Sequence, residues 1–307
     1  MQTGIRFPGK GMNKYNKGFS LIEMVVVIVV MSIISIGIVQ YIIDSAAGYA
    51  RTANRSELSA AGRVVIDRIS MEMHNALPNS VRIGPVHPTD NAVGFAGDQC
   101  IEFMPILAAT TYIDPAIRPQ PRTTTFTVVD FVPDQDGASG KYISIYPRAN
   151  NIYDQTFIGP DTQADIAEAS VADVDTGDGI NEITTTTNHR FRLSSPSLRA
   201  FLTDPPVSYC VQGDRLYKYS DYGFSSAQMR PLNLDGSTCA VGPGMCLPGT
   251  TPNRVLLTSF LDNAGITAFD QLNANRRRNS VVQIELNFNQ DGDEVLLNHE
   301  VLLHSAP

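Results

Sequence analysis

Few residues in this sequence have the type and spacing that chemistry needs. Asp173, Asp175 and Asp178 lie in the run Asp173-Val-Asp175-Thr-Gly-Asp178-Gly179. A calcium loop draws oxygen ligands from alternate positions before a glycine, and here the third aspartate comes one residue late. The run fits a weak calcium site with an insertion, or a solvated turn. The five histidines, His74, His87, His189, His299 and His304, show no metal-ligand spacing, and no phosphate loop, GxSxG or HExxH motif occurs. The chain is therefore expected to be non-catalytic, with no cofactor beyond that calcium candidate. Arg276-Arg277-Arg278 is a basic run that suits a solvated loop, with contact to an anion or DNA as the alternative. One carboxylate stands out by its setting: Glu23 is the only charge between Phe19 and Ile43.

That setting is an apolar run without proline. At about 1.5 Å per residue it spans the roughly 30 Å hydrocarbon core of a bilayer. It is too long for the apolar region of a secretory signal, although Ser45, Ala46 and Ala47 imitate a cleavage site of that kind. A carboxylate inside a membrane span costs about 2.5 to 3.5 kcal/mol near the centre, so Glu23 calls for a function. Arg6, Lys10, Lys14 and Lys17 all precede Phe19. The formal charge is −8; without those four it is −12, with nineteen basic against 31 acidic residues. A surface so acidic repels nucleic acid, and none is expected as a partner.

Lys17-Gly18-Phe19-Ser20-Leu21-Ile22-Glu23-Met24 resembles the class III signal of type IV prepilins and type II secretion pseudopilins. The resemblance implies removal of residues 1–18 by prepilin peptidase, which cuts after Gly18 and methylates Phe19. It assigns the family's assembly glutamate to Glu23. It also implies an inner-membrane assembly platform as a partner, and packing against other pilin subunits through the N-terminal helix. A leader starting at Met12 is more typical of the family than one starting at Met1.

The elements that position these residues follow from periodicity. Residues 19–43 form the transmembrane half of a helix, and 44–77 its amphipathic half, with Leu58, Ala61, Val65, Ile69, Met73 and Ala76 on one stripe. Arg63 with Asp67, and Arg68 with Glu72, are spaced for i,i+4 pairs, and Pro78 marks the stop. Gly37, Gly48 and Gly62 are points where the helix could bend.

Residues 78–307 form a β-rich domain, with strands expected at 100–107, 123–132, 141–146, 207–211, 215–219, 254–260, 280–288 and 294–303. Gly213-Asp214 and Asn289-Gln290-Asp291-Gly292 supply hairpin turns, so a meander is expected from Val207 to Leu303. Residues 149–197 are polar and weakly periodic, which predicts a long excursion rather than a separate domain. The fold class is α+β: a long N-terminal helix packed on a large antiparallel sheet domain. Cys100, Cys210, Cys239 and Cys246 all follow the anchor, in even number, which suits an oxidising compartment and leaves three complete pairings open. Cys239 and Cys246 are close enough in sequence to form a small ring, which leaves Cys100 for Cys210.

Three further runs narrow the resemblance: Leu77-Pro78-Asn79-Ser80-Val81-Arg82, Cys100-Ile-Glu-Phe-Met-Pro-Ile-Leu107 and Asn298-His299-Glu300-Val301. Together with Phe191 to Pro196 and Pro206 to Cys210, they are similar to the MshO family of minor pilins from mannose-sensitive haemagglutinin (MSHA) pili. That family implies a subunit that helps to initiate or cap a surface-attachment pilus. It would sit single-pass in the bacterial inner membrane with its C-terminal domain periplasmic, then at the cell surface. The J-type minor pseudopilin of a type II secretion system shares the same plan and stays open as the alternative.

Overall fold

The computed structural model describes residues 18–85, 99–135, 137–148, 152–153, 165–172, 179–226, 228–229, 231, 247, 253–272 and 280–303. The chain divides into two compact units, Met1–Ala53 and Asn54–Pro307. One helix, α1 (Leu21–His74), runs through the boundary between them.

In the first unit α1 is apolar, with Glu23 the only charge before Asp44. Three of its hydroxyl groups are satisfied within the helix: Ser32 and Ser35 donate to the carbonyls of Ile28 and Met31 at 2.7 Å, and Thr52 to that of Gly48 at 2.9 Å. Such back-bonding hides polar hydrogens from an apolar medium, which cannot accept them.

In the second unit, fourteen strands among the described residues follow α1 in three antiparallel sheets. The five-stranded sheet contains β1 (Arg82–Pro85), β2 (Gln99–Phe103), β9 (Val207–Gln212), β10 (Arg215–Tyr219) and β11 (Arg254–Thr258), in that spatial order. The three-stranded sheet contains β12 (Phe269–Leu272), β13 (Val281–Gln290) and β14 (Asp293–Leu302). The buried face of α1 packs with both sheets, bringing Leu58, Ile66, Ile69 and Met73 together with Ile101, Tyr209, Phe288 and Val301. The remaining strands are β3 (Ile106–Thr111), β4 (Thr123–Val129), β5 (Lys141–Ile145), β6 (Ile166–Ala172), β7 (Ile180–His189) and β8 (Arg199–Thr203). They form a six-stranded sheet ordered β3-β8-β5-β6-β7-β4.

The six-stranded sheet nearly closes on itself. Tyr112 bridges Val128, Ile113 N–H donates to Thr127 at 2.9 Å, and Thr110 Oγ1 donates to the Val129 carbonyl at 2.6 Å. The result is a small barrel with its own core, including Phe126, Ile143, Val171, Ile183, Phe191 and Leu202. Joining β3 to β4 removes two open edges at once.

Several expectations change in physical detail. The run 100–107 is two strands, broken at Met104-Pro105, with β2 and β3 in different sheets. Proline has no N–H for a ladder, so the chain changes sheets there. The return from β8 to β9 passes Asp204-Pro205-Pro206, and Asp204 N–H donates to the Pro105 carbonyl at 3.0 Å. The meander from Val207 to Leu303 is likewise divided, three strands in one sheet and three in another. Within the polar stretch 149–197, Ile166–Ala172 and Ile180–His189 form β6 and β7, interior strands of the barrel sheet. Both hairpin turns stand as expected, Gln212 facing Arg215 and Gln290 facing Asp293.

On α1 the buried stripe uses Gly62, while Ala61 is exposed. Gly62 is a close-packing site rather than a bend. A Cβ built there would overlap Leu297 Cδ1 and stand 2.7 Å from Phe288 Cε2, whereas at Gly37 and Gly48 it would meet nothing within 4 Å. Alanine gains about 1 kcal/mol of helix propensity over glycine, but overpacking costs about 1 to 3 kcal/mol. Gly62→Ala is therefore expected to destabilise the second unit by about 1 kcal/mol, measured by chemical denaturation, while Gly48→Ala should not.

The helix is also clamped by charge. Lys218 Nζ donates to both Glu72 oxygens at 2.8 and 2.7 Å, and Arg68 Nε lies 3.5 Å from Glu72. Burial raises the Glu72 carboxyl, but Lys218 foremost, then Tyr209 and Arg68, outweigh it and hold the group below its ordinary value of 4.5. A lowered carboxyl contributes stability above its unfolded value and loses it as pH falls through the folded one. Acid melting of Glu72→Gln should therefore be less pH-dependent below about pH 4.5 than that of the native chain.

Candidate functional site

The residues singled out at the N-terminus sit on the exposed first turns of α1. Ser20 is the N-cap: its carbonyl accepts the Met24 N–H at 3.1 Å. Glu23 falls at the third helical position, so Ser20-Leu21-Ile22-Glu23 has the spacing of a capping box. Its carboxylate lies at the positive end of the helix dipole. Ser-x-x-Glu directly before an apolar run is the sequence signature of such a helix start.

Phe19 is 84% exposed, and the apolar side chains from Leu21 to Ile43 are exposed throughout. The helix is long and apolar enough to cross a membrane. A Cβ added at Gly18 would meet nothing within 4 Å. Among the described residues nothing crowds this position.

The cysteines divide. Cys100 and Cys210 are bonded to each other across directly opposed positions of β2 and β9. Cys239, Cys246, Asp173, Asp175, Asp178 and the run 276–278 lie outside the described residues. Among the described residues, no group of three or more His, Cys, Asp or Glu is placed to hold a metal ion.

Two charged clusters escaped the sequence. Arg82 Nε donates to Glu102 Oε2 at 2.7 Å across β1 and β2, and Arg82 also donates to the carbonyls of Ser226 at 2.7 Å and Ser225 at 3.0 Å. The Tyr222 hydroxyl donates to Glu102 Oε1 at 3.0 Å, and the guanidinium lies 3.7 Å from the centre of the Tyr153 ring. Burial pushes the Glu102 carboxyl above its ordinary range, against the opposing pull of Arg82 and Tyr222. The second cluster lines an open cleft of about 510 Å³ beside the end of α1, where Lys218 meets Glu72 and Lys141 Nζ meets Asp204 Oδ1 at 2.6 Å. Its lysines are already paired within the chain.

Two of the runs that carried the finer resemblance, Leu77 to Arg82 and Cys100 to Leu107, meet at one seam. Leu77 N–H donates to Met104 O at 2.8 Å, Met104 N–H donates to Ser80 Oγ at 3.2 Å, and the Tyr153 hydroxyl donates to the Ser80 carbonyl at 2.9 Å. They form the joint between helix end and sheets rather than an exposed site.

Residues 13–39 match the family model described as the prokaryotic N-terminal methylation motif. No curated protein and no solved structure matches the chain. The motif, with one long apolar helix and antiparallel sheets, indicates a type IV pilin-like or pseudopilin subunit, a structural component rather than a known class of enzyme. It also points to single-pass anchoring in the inner membrane and to contacts with other subunits.

Proposed function

We propose that the chain is a minor subunit of a type IV, MSHA-type pilus, helping to initiate or cap assembly for surface attachment. The observation that carries this reading is the methylation motif at residues 13–39, which runs into the exposed apolar first half of α1. Prepilin peptidase cuts after Gly18 and methylates Phe19, and the domain beyond the anchor faces the periplasm before export. Cleavage creates an amino terminus at Phe19, only four residues from Glu23. A neighbouring subunit then offers its own amino group to this carboxylate at membrane depth, where low dielectric strengthens the pairing.

Mass spectrometry of sheared pili tests the reading: a fragment beginning at methylated Phe19 is expected. Its absence, together with loss of protein secretion on deletion of the gene, would identify a secretion pseudopilin instead. Gly18→Val should leave full-length precursor in the membrane, seen as a larger band on immunoblots. Glu23→Leu should insert and be cut normally, yet be depleted from the filament fraction when it is the sole copy. Normal recovery in filaments would remove the assembly role of Glu23.

A further inference from the structure

The three-stranded sheet ends in an open edge of unusual quality. β14 pairs with β13 over ten residues without a register shift, and among the described residues it has no second partner. Asp291 and Gly292 both have positive φ, 54° and 85°, as the tight two-residue turn requires, so Gln290 and Asp293 form a hydrogen-bonded pair. Hydrogen-bonded and non-hydrogen-bonded pairs then alternate along the ladder.

The backbone of β13 confirms this phase. Glu285 N–H donates to Ala268 at 2.9 Å, the Asn287 carbonyl accepts from Asp262 at 2.9 Å, and Asn289 N–H donates to Phe260 at 2.8 Å. All three turn their backbone away from β14. Their partners across the ladder, Asn298, Leu296 and Glu294, must turn the other way, and so must Glu300 and Leu302. Five residues thus present both N–H and C=O to the open side.

Other edges are managed. β3 and β4 are joined to each other, β1 has four residues and ends in Pro85, and the pairing of β11 is interrupted by a bulge. β14 has no proline, lysine or bulge. On its inner face Val295 and Leu297 are only partly buried against the core, which leaves apolar surface for one more strand to cover. Its outer face alternates Glu294, Leu296, Asn298, Glu300 and Leu302, with Glu285 on β13 beside it and no basic residue.

We propose that β14 binds an extended segment of a partner protein by strand addition, with alternating apolar residues on the inner face and basic residues on the outer. Main-chain bonds to the five outward residues supply affinity, and Glu294 and Glu300 select basic side chains. The proposal rests on sheet geometry and not on the filament reading.

The test uses the full chain in detergent and an end-capped peptide of alternating valine and lysine, roughly six to eight residues long. Binding should weaken with salt, and a valine–glutamate peptide should bind far less. On adding the lysine peptide, hydrogen exchange should slow at Leu296, Asn298 and Glu300. Asn298→Pro removes an outward donor without touching a β13 bond, so it should keep its melting temperature and weaken binding at least about tenfold. Equal binding by the proline variant, no binding by the native chain, or protection confined to other strands would overturn the proposal. Should the proline variant fail to fold, the exchange pattern of the native chain decides alone.

Discussion

Replacing Cys100 and Cys210 together with alanine should lower the stability of the second unit by about 4 to 5 kcal/mol, the largest effect expected here. The bond closes a loop with a sequence separation of 110 residues. Removing the link returns loop entropy to the unfolded chain, about 4.7 kcal/mol for a loop of around a hundred residues. Both cysteines are buried, at 2% and 0% exposure, so the alanines also leave unfilled space beside Tyr217 and Leu247. For a unit of this size, the melting temperature should fall by roughly 10 to 15 °C. Cys239→Ser with Cys246→Ser should cost much less, because the ring that pair is proposed to close is small. Peptide mapping without reduction checks the connectivity first. Equal melting of the native and double-alanine proteins would show that the bond does not hold the sheet.

The unequal legibility of this fold has physical causes. The anchor was plain because membrane-length apolarity is a property of sequence alone, and Gly18, Phe19 and Glu23 lie in one short motif. The helix ends three residues before the point that its pattern predicts, Leu77. Pro78 is a strong stop, yet α1 ends at His74, because Ala76 bridges Pro105 and Leu77 bonds Met104. Tertiary pairing took those residues from the helix.

The barrel was the least legible part. Along β6 the buried residues include Ala167 and Ala169, too small to mark a strand, and along β7 the buried positions alternate Asn181, Ile183 and Thr185. Thr185 is tolerated inside because its hydroxyl donates to the carbonyls of Thr124 and Thr187 at 3.2 and 2.8 Å. A polar residue satisfied by neighbours distant in sequence looks, on the page, like a loop. The same limit hid Arg82 and Glu102, which only the register of β1 on β2 sets opposite each other.

That pair gives the second large effect: Arg82→Met should cost about 3 to 5 kcal/mol, because it strands a carboxylate that cannot reach water. The Glu102 side chain is 1% exposed and that of Arg82 12%. Methionine keeps much of the aliphatic stem but loses the bond to Glu102, the bonds to the Ser225 and Ser226 carbonyls, and the cation over Tyr153. The sign of the pH effect follows from burial. The Glu102 carboxyl is already raised with Arg82 present, and its removal raises it further. A raised carboxyl contributes stability below its unfolded value and loses it as pH rises through the folded one. The deficit of Arg82→Met should therefore be larger at pH 7 than near pH 5, opposite to the acid sensitivity set by Glu72. Adding Glu102→Gln removes the stranded charge and should recover much of the loss at pH 7 and little near pH 4. Urea denaturation of the two variants at both ends of that range measures it. A deficit independent of pH, or a double variant no better than the single one, would mean that Arg82 acts through packing on Tyr153 rather than through the charge of Glu102.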